Sequence, residues 1–223
     1  QVTQLSKALK DESCGVLFVP GASFLTKFKP IVTMHQNLLP FELNEILRYG
    51  FSVLALKLLV LRLTQSVSFK RSSGIIFLSR YSKEVLNSKI DIKNVTYEII
   101  PHGVEKRFRN KPKEQKHISE YSLEKPYKII YVSSVDLYKH QWNVVEAVSR
   151  LRKYGYPVSL DLYGRAYKRA LPLLERAMKQ FDPNGDFITL HQEIPFKHID
   201  EVYPTADLSV FASSCETFGQ III

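Results

Sequence analysis

The chain has 223 residues, 45% of them hydrophobic and 24% charged, and carries a net charge of +9. These values exclude a disordered or fibrous chain and leave room for one large domain or two small ones around a packed core. The positive balance asks for an anionic partner: phosphate, nucleic acid or an anionic membrane. Cys14 and Cys215 form no spacing pattern, so a reduced, cytoplasmic setting with both thiols packed inside is expected. Asn94-Val95-Thr96 fits the glycosylation sequon; nothing else points to secretion, and the match is read as chance. With no starting Met and a run of Ile221 to Ile223 at its end, the sequence reads as an excerpt of a longer protein.

In chain order, Gly15 to Val19 and Pro30 to Met34 are short β-branched runs that read as buried strands. An apolar and basic stretch follows from about Leu43 to Lys70, then a strand at Gly74 to Leu78, a helix from about Ser82 and a strand at Thr96 to Ile100. Lys106 to Lys125 is polar and rich in Lys and Arg, and is read as a solvated linker rather than a binding patch. The rhythm then restarts. Lys128 to Val132 is a strand, and the next helix carries Val144, Val145, Val148 and Leu151 on one face. A strand at Val158 to Tyr163 ends at Gly164, and a helix follows with Leu171, Leu174, Met178 and Phe181 on one face. Phe187 to Leu190, a short helix near His198 to Tyr203, and Leu208 to Phe211 complete the run.

Strand–helix alternation of this kind builds parallel sheets from βαβ units, so the fold class is α/β with two Rossmann-like domains. The expected boundaries are 1–105, a linker at 106–126, and 127–223, with both domains incomplete. Ligands of open parallel sheets bind beyond the carboxyl ends of the strands. His35, Ser79, His102, Ser133, Gly164 and Ser213 to Gly219 occupy those positions.

Ser213-Ser214-Cys215-Glu216-Thr217-Phe218-Gly219-Gln220 follows a strand and is expected to open a helix, where free N–H groups favour an anion. Glu216 can accept hydrogen bonds from sugar hydroxyls; helix capping by Thr217 or a nearby Ser is the structural alternative. The Ser-x-x-Glu-x-Phe-Gly pattern resembles the donor-site loop of the retaining GT-B glycosyltransferases, in particular glycosyltransferase family 4. The family's second Glu would fall just past Ile223. Tyr131 to Lys139 is similar to the strand and loop that open the family's C-terminal domain, and Lys139 matches the Lys that binds the donor diphosphate there. Ser133-Ser134 stands where many members have Gly-Arg, and His140 where they have Gly, which leaves the second phosphate contact without its Arg. Ile99-Ile100-Pro101-His102-Gly103-Val104, Phe77 to Ser82, Leu162-Tyr163-Gly164 and Ala206-Asp207 also resemble family segments, in the family's order.

His35 matches the pocket His that some members place over the reacting sugar; a structural His is the alternative. The segment Phe51 to Lys70 reads as a core helix with its basic side in water, and a membrane-surface helix is the alternative. No metal-ligand spacing, Asp-x-Asp or Walker loop occurs. The resemblance therefore implies a hexosyltransferase acting from a nucleotide-diphosphate sugar onto a glycan or lipid-linked acceptor, with the sheets of the two domains facing a cleft. Its site would comprise His35 and Glu216 as catalytic groups and Lys139, Ser134, Gly164, Thr217, Phe218 and Gly219 as donor-binding groups. No cofactor, metal or nucleic-acid partner is expected, and the setting is cytoplasmic with the membrane periphery as a variant. The rival classes are another GT-B enzyme, such as a sugar phosphorylase or nucleotide-sugar epimerase, and a non-catalytic anion-binding module.

Overall fold

The computed structural model describes residues 2–109, 111, 113–191 and 193–222. Positions 110 and 112 of the expected linker and Ile223 of the terminal apolar run lie outside the described residues. The chain divides into two compact units, Gln1–Gly103 with Cys215–Gly219, and Val104–Ser214 with Gln220–Ile223.

The first unit begins with helix α1 (Val2–Asp11) and strands β1 (Leu17–Val19) and β2 (Ile31–His35). Helices α2 (Leu43–Arg48) and α3 (Val53–Arg71), strand β3 (Gly74–Phe77), helix α4 (Arg80–Lys89) and strand β4 (Thr96–Ile99) follow. The strands form one parallel sheet in the order β1-β2-β3-β4. In β2 the period of two turns Ile31, Thr33 and His35 into the interior. The apolar stretch from Leu43 divides into two helices because the chain turns at Gly50, whose φ is +56°. Ser52 restarts it: its hydroxyl accepts from the Ala55 N–H at 3.1 Å and caps α3. Helix α4 starts at Arg80, two residues before the expected Ser82, because Ser79 and Ser82 form a reciprocal capping box. Gly15 and Val16 lie outside β1, and Cys14 is partly exposed rather than interior.

The second unit contains β5 (Tyr127–Val132), α5 (Gln141–Lys153), β6 (Val158–Tyr163), α6 (Leu171–Phe181), β7 (Ile188–His191) and β8 (Leu208–Ser209). Its sheet is parallel in the order β7-β6-β5-β8. Helix α5 buries Val144, Val145 and Val148, and α6 buries Leu174 and Ala177. The buried Asp182 carboxylate after α6 accepts from the N–H groups of Asp186, Phe187 and Ile188, at 2.9, 3.0 and 2.7 Å, and shapes the entry to β7. Strand β8 stops at Ser209 rather than Phe211, and the residues after Gly219 form one 3₁₀ turn (Gln220–Ile222) instead of opening a helix.

The basic linker is more than a solvated connection. Lys113 meets the Asp207 carboxylate at 2.7 Å, which also accepts from Tyr121 Oη at 3.1 Å and from the Lys128 N–H at 2.8 Å. Arg107 pairs with Glu105 and Asp200 while its guanidinium lies 4.6 Å from the ring centres of both Phe108 and Phe196. Burial would raise the Asp207 pKa, but these donors together hold it below the ordinary value.

Candidate functional site

In the order β7-β6-β5-β8 the chain steps from β5 to β6 to β7 on one side and then returns to place β8 on the other side of β5, so β5 and β8 flank the topological switch point of the second sheet. Lys139 ends the loop leaving β5, and Phe211 lies just past β8. The Lys139 ammonium sits 4.7 Å from the Phe211 ring centre and 4.9 Å from that of Tyr138, with the residue 8% exposed. Two ring faces at this distance favour a cation. Tyr131 fixes the backbone beneath it: its hydroxyl donates to the Lys139 carbonyl at 2.6 Å and accepts from the Ala212 N–H at 3.2 Å. His140 lies in the left-handed region, φ +54°, and caps α5 without a side-chain hydrogen bond to the helix. That conformation is easiest for Gly, the residue that the family resemblance leads one to expect here. Its Nε2 instead meets Ser214 Oγ at 2.9 Å, and the Ser214 N–H donates to the Tyr138 carbonyl at 2.9 Å, tying the loops after β5 and β8 together.

Gly164, after β6, faces the same turn. A Cβ there would stand 2.2 Å from the Ser133 carbonyl oxygen and 3.0 Å from the Ser134 nitrogen, and its φ is +142°. Only Gly allows this approach. The Ser133 N–H donates to the Tyr163 carbonyl at 2.9 Å, and the Ser134 carbonyl accepts from Gln141 Nε2, also at 2.9 Å. Ser134, Lys139 and Gly164 thus belong to one cluster of strand-end loops in the second unit.

Glu216, Thr217, Phe218 and Gly219 belong to the first unit. Ser79 Oγ donates to the Thr217 carbonyl at 2.5 Å, and Thr217 Oγ1 donates to the Gln36 carbonyl at 3.2 Å. The Phe218 ring packs edge-on against His102 at 5.8 Å. Gln36, Ser79 and His102 follow β2, β3 and β4, so the loop meets the carboxyl ends of three neighbouring strands. Gly219 is buried with φ +71°. Glu216 is half-buried.

His35 is fully buried, with the rings of Phe41, Phe69 and Phe77 edge-on around it at 5.8, 5.5 and 5.8 Å. Neither ring nitrogen makes a hydrogen bond of full geometry among the described residues. Burial pushes its pKa down to about 4, and the backbone at Asn37 opposes this only in part. The ring is therefore neutral at pH 7 and has no cationic role there.

Sequence reasoning missed Tyr131, Phe211 and Ser214 as partners of the Lys139 loop. The available signal was the topology, which puts the residues after β8 beside those after β5. A separate cavity of about 570 Å³ in the second unit is lined by Phe108, Phe196, Tyr203, Asp207 and Ile221 among others, and none of the expected site residues borders it. Burial beside it raises the Tyr203 hydroxyl pKa to about 12. Among the described residues no group of three His, Cys, Asp or Glu side chains could hold a metal ion.

No protein-family model matches the chain, and no curated protein matches it. Solved structures do. The Anabaena protein HepE in complex with UDP aligns over 99% of this chain and 58% of its own, with a TM-score of 0.65 and 13% identity. WaaG, a glycosyltransferase involved in lipopolysaccharide biosynthesis, aligns over 98% and 58% with a TM-score of 0.64 and 12% identity. Sucrose-phosphate synthase from Thermosynechococcus elongatus aligns over 99% and 56% with a TM-score of 0.64 and 15% identity. The chain therefore spans a little over half the length of these structures. At such identities the likeness shows the fold: α/β, with two parallel sheets in Rossmann-like units, a part of the GT-B fold.

Proposed function

We propose that the protein is a retaining hexosyltransferase of the family 4 type, moving a hexose from a nucleotide-diphosphate sugar to a glycan or lipid-linked acceptor. The observation that carries this reading is the Lys139 ammonium at the switch point of the second sheet, held over two aromatic faces where an anionic ligand of a parallel sheet binds. The likeness to HepE, solved in complexes with UDP and with UDP-glucose, supports it. Its acceptor side is supported only by the resemblance.

In the reaction, the bond between the anomeric carbon and the phosphate oxygen breaks and a bond to the acceptor hydroxyl oxygen forms. The nucleoside diphosphate leaves with the bonding electron pair and one more negative charge, and the acceptor hydroxyl's proton passes to the departing phosphate oxygen and from there to solvent. Lys139 is assigned to that diphosphate, where the attraction of its ammonium grows as negative charge develops on the leaving group. Ser134 and Gly164 are assigned to shaping the loop through which phosphate approaches backbone. Glu216 is assigned to the donor's hydroxyls, and Thr217, Phe218 and Gly219 to the donor through backbone groups. His35, enclosed by three Phe rings, is assigned a supporting role within the first unit as a neutral ring rather than a contact with the sugar. Charge neutralisation falls to these groups, and the reading calls on no metal or other cofactor.

The test is turnover by the full-length protein across UDP-, GDP- and ADP-sugars, with NMR of the anomeric product. Saturable use of one donor with retained configuration supports the proposal. An inverted product removes the retaining assignment, and failure of every donor with a folded protein removes the transferase reading.

A further inference from the structure

Helix α3 distributes its residues the wrong way round for a surface helix. Val53, Leu56, Val60, Leu63 and Val67 recur at spacings of three and four and are 51% to 85% exposed, while Gln65 and Ser68 are buried at 5% and 2%. Ser68 is inside because its hydroxyl accepts from the Phe24 N–H at 3.2 Å. The inner face is completed by Ala55, Leu58 and Phe69. Phe51, just ahead of the helix, is fully exposed. A solvent-facing aliphatic stripe of four turns costs stability and solubility unless something covers it.

The charges select the cover. Between Val53 and Arg71 the helix has no acidic residue, and Lys57 and Lys70 are exposed beside or at the end of the stripe, while the Arg71 guanidinium donates to the Thr26 carbonyl at 3.3 Å. The spacing would suit a coiled-coil seam, but the same helix of a second copy would bring its own cations to Lys57 and Lys70 with no carboxylate to answer them. An anionic lipid surface answers both features, taking the aliphatic side chains at the acyl boundary and the cations at the headgroups. No helix among the described residues is long and apolar enough to cross a membrane, so the helix would lie in the interface.

We propose that α3 docks the protein on anionic phospholipid through Val53, Leu56, Val60, Leu63 and Val67, with Lys57 and Lys70 reading the headgroups. This gives a place to the membrane contact implied by a lipid-linked acceptor. In that purpose it rests on the transferase reading, but its test reads vesicle binding alone, so each can fail without the other.

The experiment is co-sedimentation of the full-length protein with phosphatidylcholine vesicles, with and without phosphatidylserine, at low and high salt. The expected result is binding stronger on the anionic vesicles by about tenfold or more and weakened by salt. Leu56→Asp with Leu63→Asp should lower binding about tenfold or more, and Lys57→Glu with Lys70→Glu should abolish the preference for phosphatidylserine. Circular dichroism checks that each variant is folded, which the exposure of all four positions makes the expected state. Equal binding to both vesicles, binding indifferent to these substitutions, or a concentration-dependent dimer that they dissolve without any vesicle binding would each overturn the proposal.

Discussion

His35 occupies a position where a titratable group has little to gain from its charge. The imidazole is enclosed by three Phe rings and its pKa falls from 6.5 to about 4. Because the folded state holds the ring neutral while the unfolded chain protonates it, the contribution is intact above about pH 6.5 and is lost as pH falls toward 4. A shift of this size corresponds to about 3 kcal/mol in all, and to about 2 kcal/mol between pH 7.5 and pH 5. His35→Leu should therefore match the wild type within about 1 kcal/mol at pH 7.5 and exceed it in urea unfolding at pH 5. Parallel pH profiles of the two proteins would contradict this account. The β-branched run predicts a strand ending at Met34 with His35 just past it, and a structural His as the alternative; the structure extends β2 to His35 and turns its ring inward with Ile31 and Thr33. The enclosure by Phe41 and Phe69 was not legible, because those residues arrive from separate segments. Gly164 makes a second prediction at this scale: Gly164→Ala should cost about 2–4 kcal/mol in equilibrium unfolding, from the strained φ and the collision with the Ser133 carbonyl. A loss below measurement error would mean that the two loops are not in contact.

Among elements, β8 is only two residues long, and its placement depends on what precedes it. Asp207 supplies that support by accepting from Lys113, Tyr121 and the Lys128 N–H. Its pKa is depressed, so its contribution is present above the ordinary carboxyl pKa and is lost as pH falls through the folded value. Asp207→Ala should cost about 1–3 kcal/mol, because it strands the Lys128 N–H and the Tyr121 hydroxyl, and should remove that part of the acid dependence. Thermal unfolding at pH 7 and pH 3 checks both. The order of strands and helices was readable from the alternation of apolar runs. The ends of elements were less so: the Ser79–Ser82 capping box moved one helix start, and Gly50 cut one long apolar stretch in two. Periodicity along α3 shows an aliphatic face, but it does not say which face meets the core. Here hydrogen bonding of Ser68 to Phe24 decided it, a contact across 44 residues.

At the scale of the molecule, the two parallel sheets follow from the sequence rhythm, their strand orders come from the structure, and solved glycosyltransferases share the fold. The site is legible in outline, because strand-end residues can be named from topology alone. What could not be named were partners brought in from afar: Phe211 over Lys139, and Ser79 and Gln36 holding Thr217. The charge of +9 is spread between jobs that composition alone does not separate. Lys113 and Arg107 hold the linker, Lys139 stands at the switch point, and Lys57, Lys70 and Arg71 lie along an exposed helix.

The central claim is that Lys139 and Glu216 recognise a nucleotide-diphosphate sugar, and its most direct test is calorimetric titration of the full-length protein with UDP-, GDP- and ADP-sugars. One donor should bind with saturation, and Lys139→Ala and Glu216→Ala should each weaken it about tenfold to a hundredfold, the worth of one hydrogen bond involving a charged group. Binding of simple polyanions with no preference for any nucleotide sugar, or donor binding untouched by both substitutions, would contradict it and leave an anion-binding module as the better description.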